Sequence, residues 1–235
     1  MKTSLLLLPG LLCDARLFAP QVRTLSDVAS PVVADLTGAD TLAALAASAI
    51  ARMPAGRFAV AGLSMGGYVA LEVMRQAQGR VSGLALLNTN ARPDSPESTE
   101  NRRRLIALAE SKGVLAVNAA LLPKLVHPDR VKDATLVELL DGMAGTVGVD
   151  GFRRQQNAII GRIDSRPHLG AIRVPAMVLA AREDAIMPMA VSEEMAQGIP
   201  GAVLEIVEHC GHVSSLEQPE VVTARLRAWM QRIAG

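Results

Sequence analysis

Ser64 stands in the run Gly62-Leu63-Ser64-Met65-Gly66-Gly67, directly after the apolar stretch Phe58-Ala59-Val60-Ala61. A helical pattern follows it. A serine at the tip of a very tight strand-to-helix turn needs neighbours without side chains two residues to either side. Gly62 and Gly66 meet that need, and Gly67 lets the helix pack close. Such a turn lifts the hydroxyl off the sheet, and the helix N-terminus behind it favours developing negative charge. The chemistry this suits is nucleophilic attack. A phosphate-binding loop is the rival reading, but no Gly-Lys-Ser/Thr follows.

A serine nucleophile needs a base. The chain has four histidines, His127, His168, His209 and His212. His212 lies in Glu208-His209-Cys210-Gly211-His212-Val213, after an apolar strand and before the last helix. That places it at the C-terminal edge of a parallel sheet, the edge that also carries Ser64. His209 is the competitor. Gly211 favours His212, because it lets the loop turn that residue toward the serine. His127 and His168 fall in a helical segment and read as surface or helix-end histidines. His209, Cys210 and His212 are too close together to wrap one metal ion without a remote partner, so no metal is expected.

The base needs a carboxylate to fix its tautomer. Asp184 stands just past the strand Met177-Val178-Leu179-Ala180-Ala181, on the same edge, with Glu183 as a solvated neighbour. The order Ser64, Asp184, His212 is a known triad order, unlike those of the serine proteases. An oxyanion hole would take the N–H of Met65 and a second donor from Leu8-Pro9-Gly10-Leu11-Leu12. Leu11 is the candidate there, with Leu12 behind it.

These residues need a scaffold. Strand-like runs fall at 4–8, 31–34, 57–63, 81–88, 176–181 and 202–207, separated by helical stretches at 14–25, 41–53, 66–77, 189–198 and 217–233. Such alternation predicts an α/β fold, a mostly parallel sheet of about six strands with helices on both faces. Between Asn88 and Val174 the rhythm becomes helical throughout, over 99–111, 113–122, 129–143 and 148–160. This block reads as an insertion: residues 1–90 and 171–235 form the core, and 91–170 a helical cap.

Composition narrows the classes. The chain has 235 residues, 24 Lys+Arg against 23 Asp+Glu, 50% apolar residues and 2% aromatics. Near-neutral charge and few aromatics argue against nucleic-acid binding. The apolar run Ser4–Leu8 resembles the start of a signal peptide, but Pro9-Gly10 ends it early and a buried strand explains it. No run reaches the ~18 apolar residues a membrane helix needs. Cys13 and Cys210 read as reduced thiols, which with the lack of a leader places the protein in the cytoplasm.

Taken together, Pro9-Gly10, Gly62 to Gly67, Arg182-Glu183-Asp184-Ala185-Ile186-Met187-Pro188 and Cys210-Gly211-His212 with Leu216-Glu217-Gln218-Pro219 resemble the α/β-hydrolase superfamily, in particular its small bacterial esterase-like members. The resemblance covers almost the whole chain. It implies a helical cap over the active site. Family members usually carry two further strands before the oxyanion loop's strand, so the sheet is expected to be a truncated one. Pro9-Gly10 replaces the usual His-Gly, and a serine nucleophile separates this chain from the aspartate-using dehalogenases.

The activity implied is hydrolysis of carboxylic esters or related acyl bonds, through Ser64, Asp184 and His212, with Leu11 and Met65 at the oxyanion and no metal or organic cofactor. The partner is a small-molecule acyl substrate. Leu121, Leu122, Met143 and Ile160 of the cap are candidates to line its pocket, and equally candidates for the cap's own core. A carrier-protein or thioester substrate is a second reading, resting on the cap cations Arg102, Arg103, Arg104, Lys112, Lys124, Arg130, Lys132, Arg153 and Arg154. The interleaved acids Glu97, Glu100, Glu110, Asp129 and Asp133 favour a merely solvated face. A ligand receptor or signalling module with slow turnover is the third. Substrate identity and oligomeric state are not legible in the sequence.

Overall fold

Leu5, Leu6, Leu7 and Leu8 carry no polar residue to offer solvent, so the strand they form must be covered on both faces. The computed structural model describes residues 2–234 and places β1 (Thr3–Leu8) inside a six-stranded sheet, with all four leucines at 0% exposure. The other strands are β2 (Ala29–Val33), β3 (Phe58–Leu63), β4 (Val81–Leu87), β5 (Ala176–Ala181) and β6 (Val203–Val207). Every pairing is parallel, in the order β2-β1-β3-β4-β5-β6. The C-terminal ends of β1, β3, β5 and β6 therefore open onto one edge, where the predicted site residues lie.

The helices are α1 (Ala19–Leu25), α2 (Leu42–Ala51), α3 (Met65–Ala77), α4 (Pro96–Lys112), α5 (Val114–Leu125), α6 (Ala134–Ile160), α7 (Arg166–Leu169), α8 (Met189–Gly198), α9 (Ser214–Glu217) and α10 (Pro219–Ala234). Successive strand residues feed opposite faces. Leu6, Leu8 and Val60 pack with residues of α2, α3 and α8, whereas Leu5, Leu7, Ala59 and Ala61 pack with α1 and α10. The helices α4 to α7 lie between β4 and β5, where the helical block was expected. Part of that block has its own small core, in which Ala109, Val114, Val117, Ala144, Val147 and Phe152 gather around Leu12 from the loop after β1. Its two ends are tied by Asp94, whose side chain is buried and pairs with both Arg102 on α4 and Arg162 just beyond α6.

Several boundaries differ from expectation for local reasons. The stretch 14–25 divides into a 3-10 turn (Ala15–Phe18), capped by the Asp14 carboxylate, and α1. Pro20 in the first turn of α1 has no N–H with which to continue an upstream helix. β2 begins two residues earlier than predicted, because Thr3 pairs with Ala29. Its Pro31 is tolerated since β2 is an edge strand. The helix expected from 129 starts at Ala134, where Asp133 accepts the Leu136 N–H. It then continues as α6 through a kink at Gly148, φ 66°, which separates the two predicted helical runs. The last helix begins at Pro219 rather than 217, because Gln218 adopts φ −129°, ψ 58° ahead of that proline and sets α9 apart.

Candidate active site

The turn at Ser64 is built from collisions that glycine avoids. A Cβ on Gly62 would lie 2.1 Å from Gly66 O, and one on Gly66 would lie 1.9 Å from Leu8 O. Ser64 itself holds φ 56°, ψ −117°, a conformation that L-residues with a side chain rarely adopt. It is held by its own N–H to Leu87 O (2.9 Å) and by the Thr89 hydroxyl donating to Ser64 O (2.8 Å). The helix α3 starts at the next residue.

Ser64 Oγ lies 2.8 Å from His212 Nε2, and His212 Nδ1 lies 2.8 Å from Asp184 Oδ2. In the tautomer this network assigns, Nδ1–H donates to the carboxylate and Nε2 accepts the serine proton. Asp184 is 7% exposed and His212 3%. The Asp184 Oδ1 accepts the N–H groups of Ile186 (2.8 Å) and Met187 (2.9 Å), while Oδ2 also accepts from Asn88 Nδ2 (2.9 Å). Burial alone would raise the Asp184 pKa. The positive end of His212, its hydrogen bond and the donors on Met187 and Asn88 outweigh that and hold the carboxyl below the usual carboxylate range.

The loop after β1 passes over the serine: Gly10 is close enough that a Cβ there would touch Ser64 Cβ at 3.5 Å. Leu12 N–H is engaged, donating to Gln155 Oε1 at 3.0 Å. That sets Leu12 aside and leaves Gly10 and Leu11 as the backbone donors of this loop with no protein acceptor assigned to them among the described residues. Leu11, Ser64 and His212 border a cavity of about 330 Å³. Its apolar wall includes Leu105, Leu121, Leu125, Ile159 and Ile186, and its polar wall includes Arg102, Lys124 and Gln156.

The predicted lining is only partly right. Leu121 faces the cavity. Met143 is fully buried against Leu136 and Leu140, and Leu122 packs on that same cluster. Ile159 rather than Ile160 lines the space. His209 does not approach Ser64; it sits on the outer side of its loop, beside His127. Asn88, Gln155 and Ser214 were not singled out from sequence. The only signal for Asn88 is its place at the end of β4. Gln155 offers none, since a buried glutamine on a helix looks like any surface glutamine.

Both thiols are buried and unpaired. Burial pushes the Cys13 thiol up to about 12, and it pushes Cys210 up as well. Among the described residues no helix is long and apolar enough to cross a membrane.

A family model described as "Alpha/beta hydrolase family" matches residues 5–225. The chain belongs to the alpha/beta hydrolase family. Among solved structures, this alpha/beta hydrolase is similar to a thermophilic esterase from Thermogutta terrifontis, with 30% identity, a TM-score of 0.91, and coverage of 99% of this chain and 91% of that one. It is also similar to the enol-lactonase from Burkholderia xenovorans LB400, at 25% identity and a TM-score of 0.89, covering 98% and 92% of the two chains. Among curated relatives, it is 28% identical over 183 residues to a RutD protein of Variovorax paradoxus (strain S110). That match takes in 74% of this chain and 66% of the relative, so the chain spans just under two thirds of that protein's length.

Proposed function

We propose that this alpha/beta hydrolase is a serine hydrolase of carboxylic esters or related acyl bonds. The observation that carries the reading is the unbroken line of hydrogen bonds from Ser64 Oγ through His212 to Asp184, at 2.8 Å each, opening into a cavity of about 330 Å³. Ser64 attacks the acyl carbon as its proton passes to His212 Nε2. The Leu11 and Met65 N–H groups hold the oxyanion. Collapse breaks the acyl–oxygen bond, and the leaving alkoxide takes the proton from His212. Water then attacks the acyl-enzyme, its proton going to His212, and Ser64 departs with that proton. Asp184 stabilises the imidazolium in both halves. No step calls for a metal or organic cofactor.

Residues 91–170 act as the cap, because Leu105, Leu121 and Ile159 from this stretch roof the cavity. The cavity volume suits a small acyl substrate. Gln156 Nε2 is buried with no partner, and with Lys124 it suits a carboxylate or carbonyl at the substrate's far end. The buried free thiols suit the cytoplasm.

A carrier-bound substrate has support in one relative, a pimeloyl-[acyl-carrier protein] methyl ester esterase of Nitrosomonas europaea. Against it, much of the cap's positive charge is internally paired: Arg102 with Asp94, Arg104 with Glu100, Arg130 with Asp133, and Arg153 with Asp150 and Glu110. The small-molecule reading is therefore preferred.

The test is hydrolysis of a chromogenic ester series of increasing acyl length, with monoesters of dicarboxylic acids included, in wild type and Ser64→Ala. The expected outcome is a rate that falls about 10⁴-fold or more in the variant. Equal rates in both proteins would overturn the reading. Absence of any turnover in wild type would favour the receptor role.

A further inference from the structure

We propose that His127, Glu183 and His209 form a binding site for one divalent transition-metal ion of the zinc type, separate from Ser64, which fastens the inserted helices to the two loops that carry Asp184 and His212. The three donors come from distant parts of the chain. His127 follows α5, Glu183 follows β5, and His209 follows β6. One ligand atom from each lies within 4.8 Å of the other two. Tetrahedral bonds of about 2.0–2.1 Å would hold donors about 3.3 Å apart, so side-chain rotation closes the site.

Each donor is available. His127 Nδ1 accepts the Asp129 N–H at 3.2 Å, so binding through Nε2 moves the ring proton to Nδ1 and gives up that one contact. Glu183 Oε2 accepts the Cys210 N–H at 2.9 Å, which leaves Oε1. The His209 ring has no hydrogen bond among the described residues and lies edge-on to the His127 ring, centroids 6.2 Å apart. No ion pair or hydrogen bond joins the three side chains to each other, so nothing must be broken among them to admit a cation.

The backbones beneath them are already fixed. The buried Glu217 carboxylate accepts the N–H of His127 (2.6 Å) and of Gly211 (3.0 Å), and Val213 N–H donates to Leu125 O (3.1 Å). Gly211 packs so closely that a Cβ would lie 2.5 Å from His127 N. The segments bearing His127 and His209 are thus held face to face before any ion arrives, which removes part of the ordering cost of binding.

Two imidazoles and one carboxylate suit zinc and its neighbours, and disfavour magnesium and calcium, which take oxygen donors. Water completes the coordination. The Asp129 carboxylate, 3.7 Å from His127 Nδ1, is placed to take the Nδ1–H once Nε2 is bound, the usual outer partner of a ligating histidine. Sequence spacing hides the site, because its remote ligand is the histidine at the end of the inserted α5. The ion neither touches Ser64 nor enters the cavity, so the proposal stands whether or not the ester-hydrolase reading holds.

The experiment uses the full chain without a histidine tag, freed of metal with a chelator. Zinc chloride is titrated calorimetrically and melting temperature is recorded, with magnesium chloride as the comparison. The expected result is one zinc per chain, a raised Tm with zinc and none with magnesium. His127→Gln, His209→Gln and Glu183→Gln each weaken binding tenfold or more, while His168→Gln leaves it unchanged. Cobalt(II) added to wild type gives the visible absorption of a tetrahedral nitrogen–oxygen site, a readout that needs no variant. Absence of saturable zinc binding overturns the proposal. So does binding of the same affinity in the His127→Gln/His209→Gln double variant, which would mean adventitious surface zinc.

Discussion

Asn88 and His212 share one oxygen of Asp184: Asn88 Nδ2 donates to Oδ2 at 2.9 Å and His212 Nδ1 meets the same atom at 2.8 Å. Asn88 holds φ 47° at the end of β4, and its Oδ1 accepts the Ser214 hydroxyl at 2.6 Å. It therefore couples the acid to α9, the helix just after His212. Asn88→Ala leaves Asp184 one donor short in a buried site. The expected outcome is a kcat lowered about 10- to 100-fold with KM little changed. The loss in stability is about 1–3 kcal/mol. Steady-state kinetics and urea unfolding check both. An unchanged kcat would mean that Asn88 serves packing alone.

Gln155 sets the loop that carries Leu11. It accepts the Leu12 N–H at 3.0 Å and donates to Leu36 O at 3.3 Å, fully buried. In Gln155→Ala the Leu12 N–H loses its acceptor, a cost of about 1–3 kcal/mol. If the Leu11 N–H is an oxyanion donor, the loop's freedom appears in kcat more than in KM. The same variant with normal kcat and a lowered Tm would remove Gln155 from the oxyanion argument.

Gly66→Ala tests the turn itself. The new methyl would sit 1.9 Å from Leu8 O and 2.8 Å from Pro9 O, both backbone atoms that cannot swing aside. The expected result is loss of soluble protein, or a Tm drop larger than that of Gly145→Ala, where nothing lies within 4 Å. Equal melting temperatures would contradict the geometry of this turn.

Glu72, on α3 behind Ser64, gives a pH dependence. Burial opposes its ionisation, but hydrogen bonds from Arg75 and Gln76 and the Arg75 charge hold its carboxyl below the ordinary range. A depressed folded-state pKa stabilises the fold above the unfolded carboxylate value, about pH 4.3, and that contribution disappears as pH falls through the folded value. Wild type is expected to melt above Glu72→Gln at pH 7, with the gap narrowing below about pH 4. A gap of constant size from pH 7 to pH 3 would rule the linkage out.

The sequence by itself determined the repeat of strand and helix, the insertion after the fourth strand and the order of Ser64, Asp184 and His212, because these follow from local pattern. Four buried leucines in a row, or a serine between glycines that cannot bear a Cβ, constrain the chain wherever it is read. Where capping or proline chemistry competes with hydrophobic periodicity, as at Asp133, Gln218 and Pro20, boundaries moved by a few residues. What only the tertiary structure decided are contacts between segments far apart in the chain. Asn88 meets Asp184 across 96 residues, Gln155 meets Leu12 across 143, and His127 comes beside Glu183 and His209. Nothing local marks such residues, since a buried polar side chain is defined by the partner that satisfies it, and that partner is chosen by the packing of the whole fold.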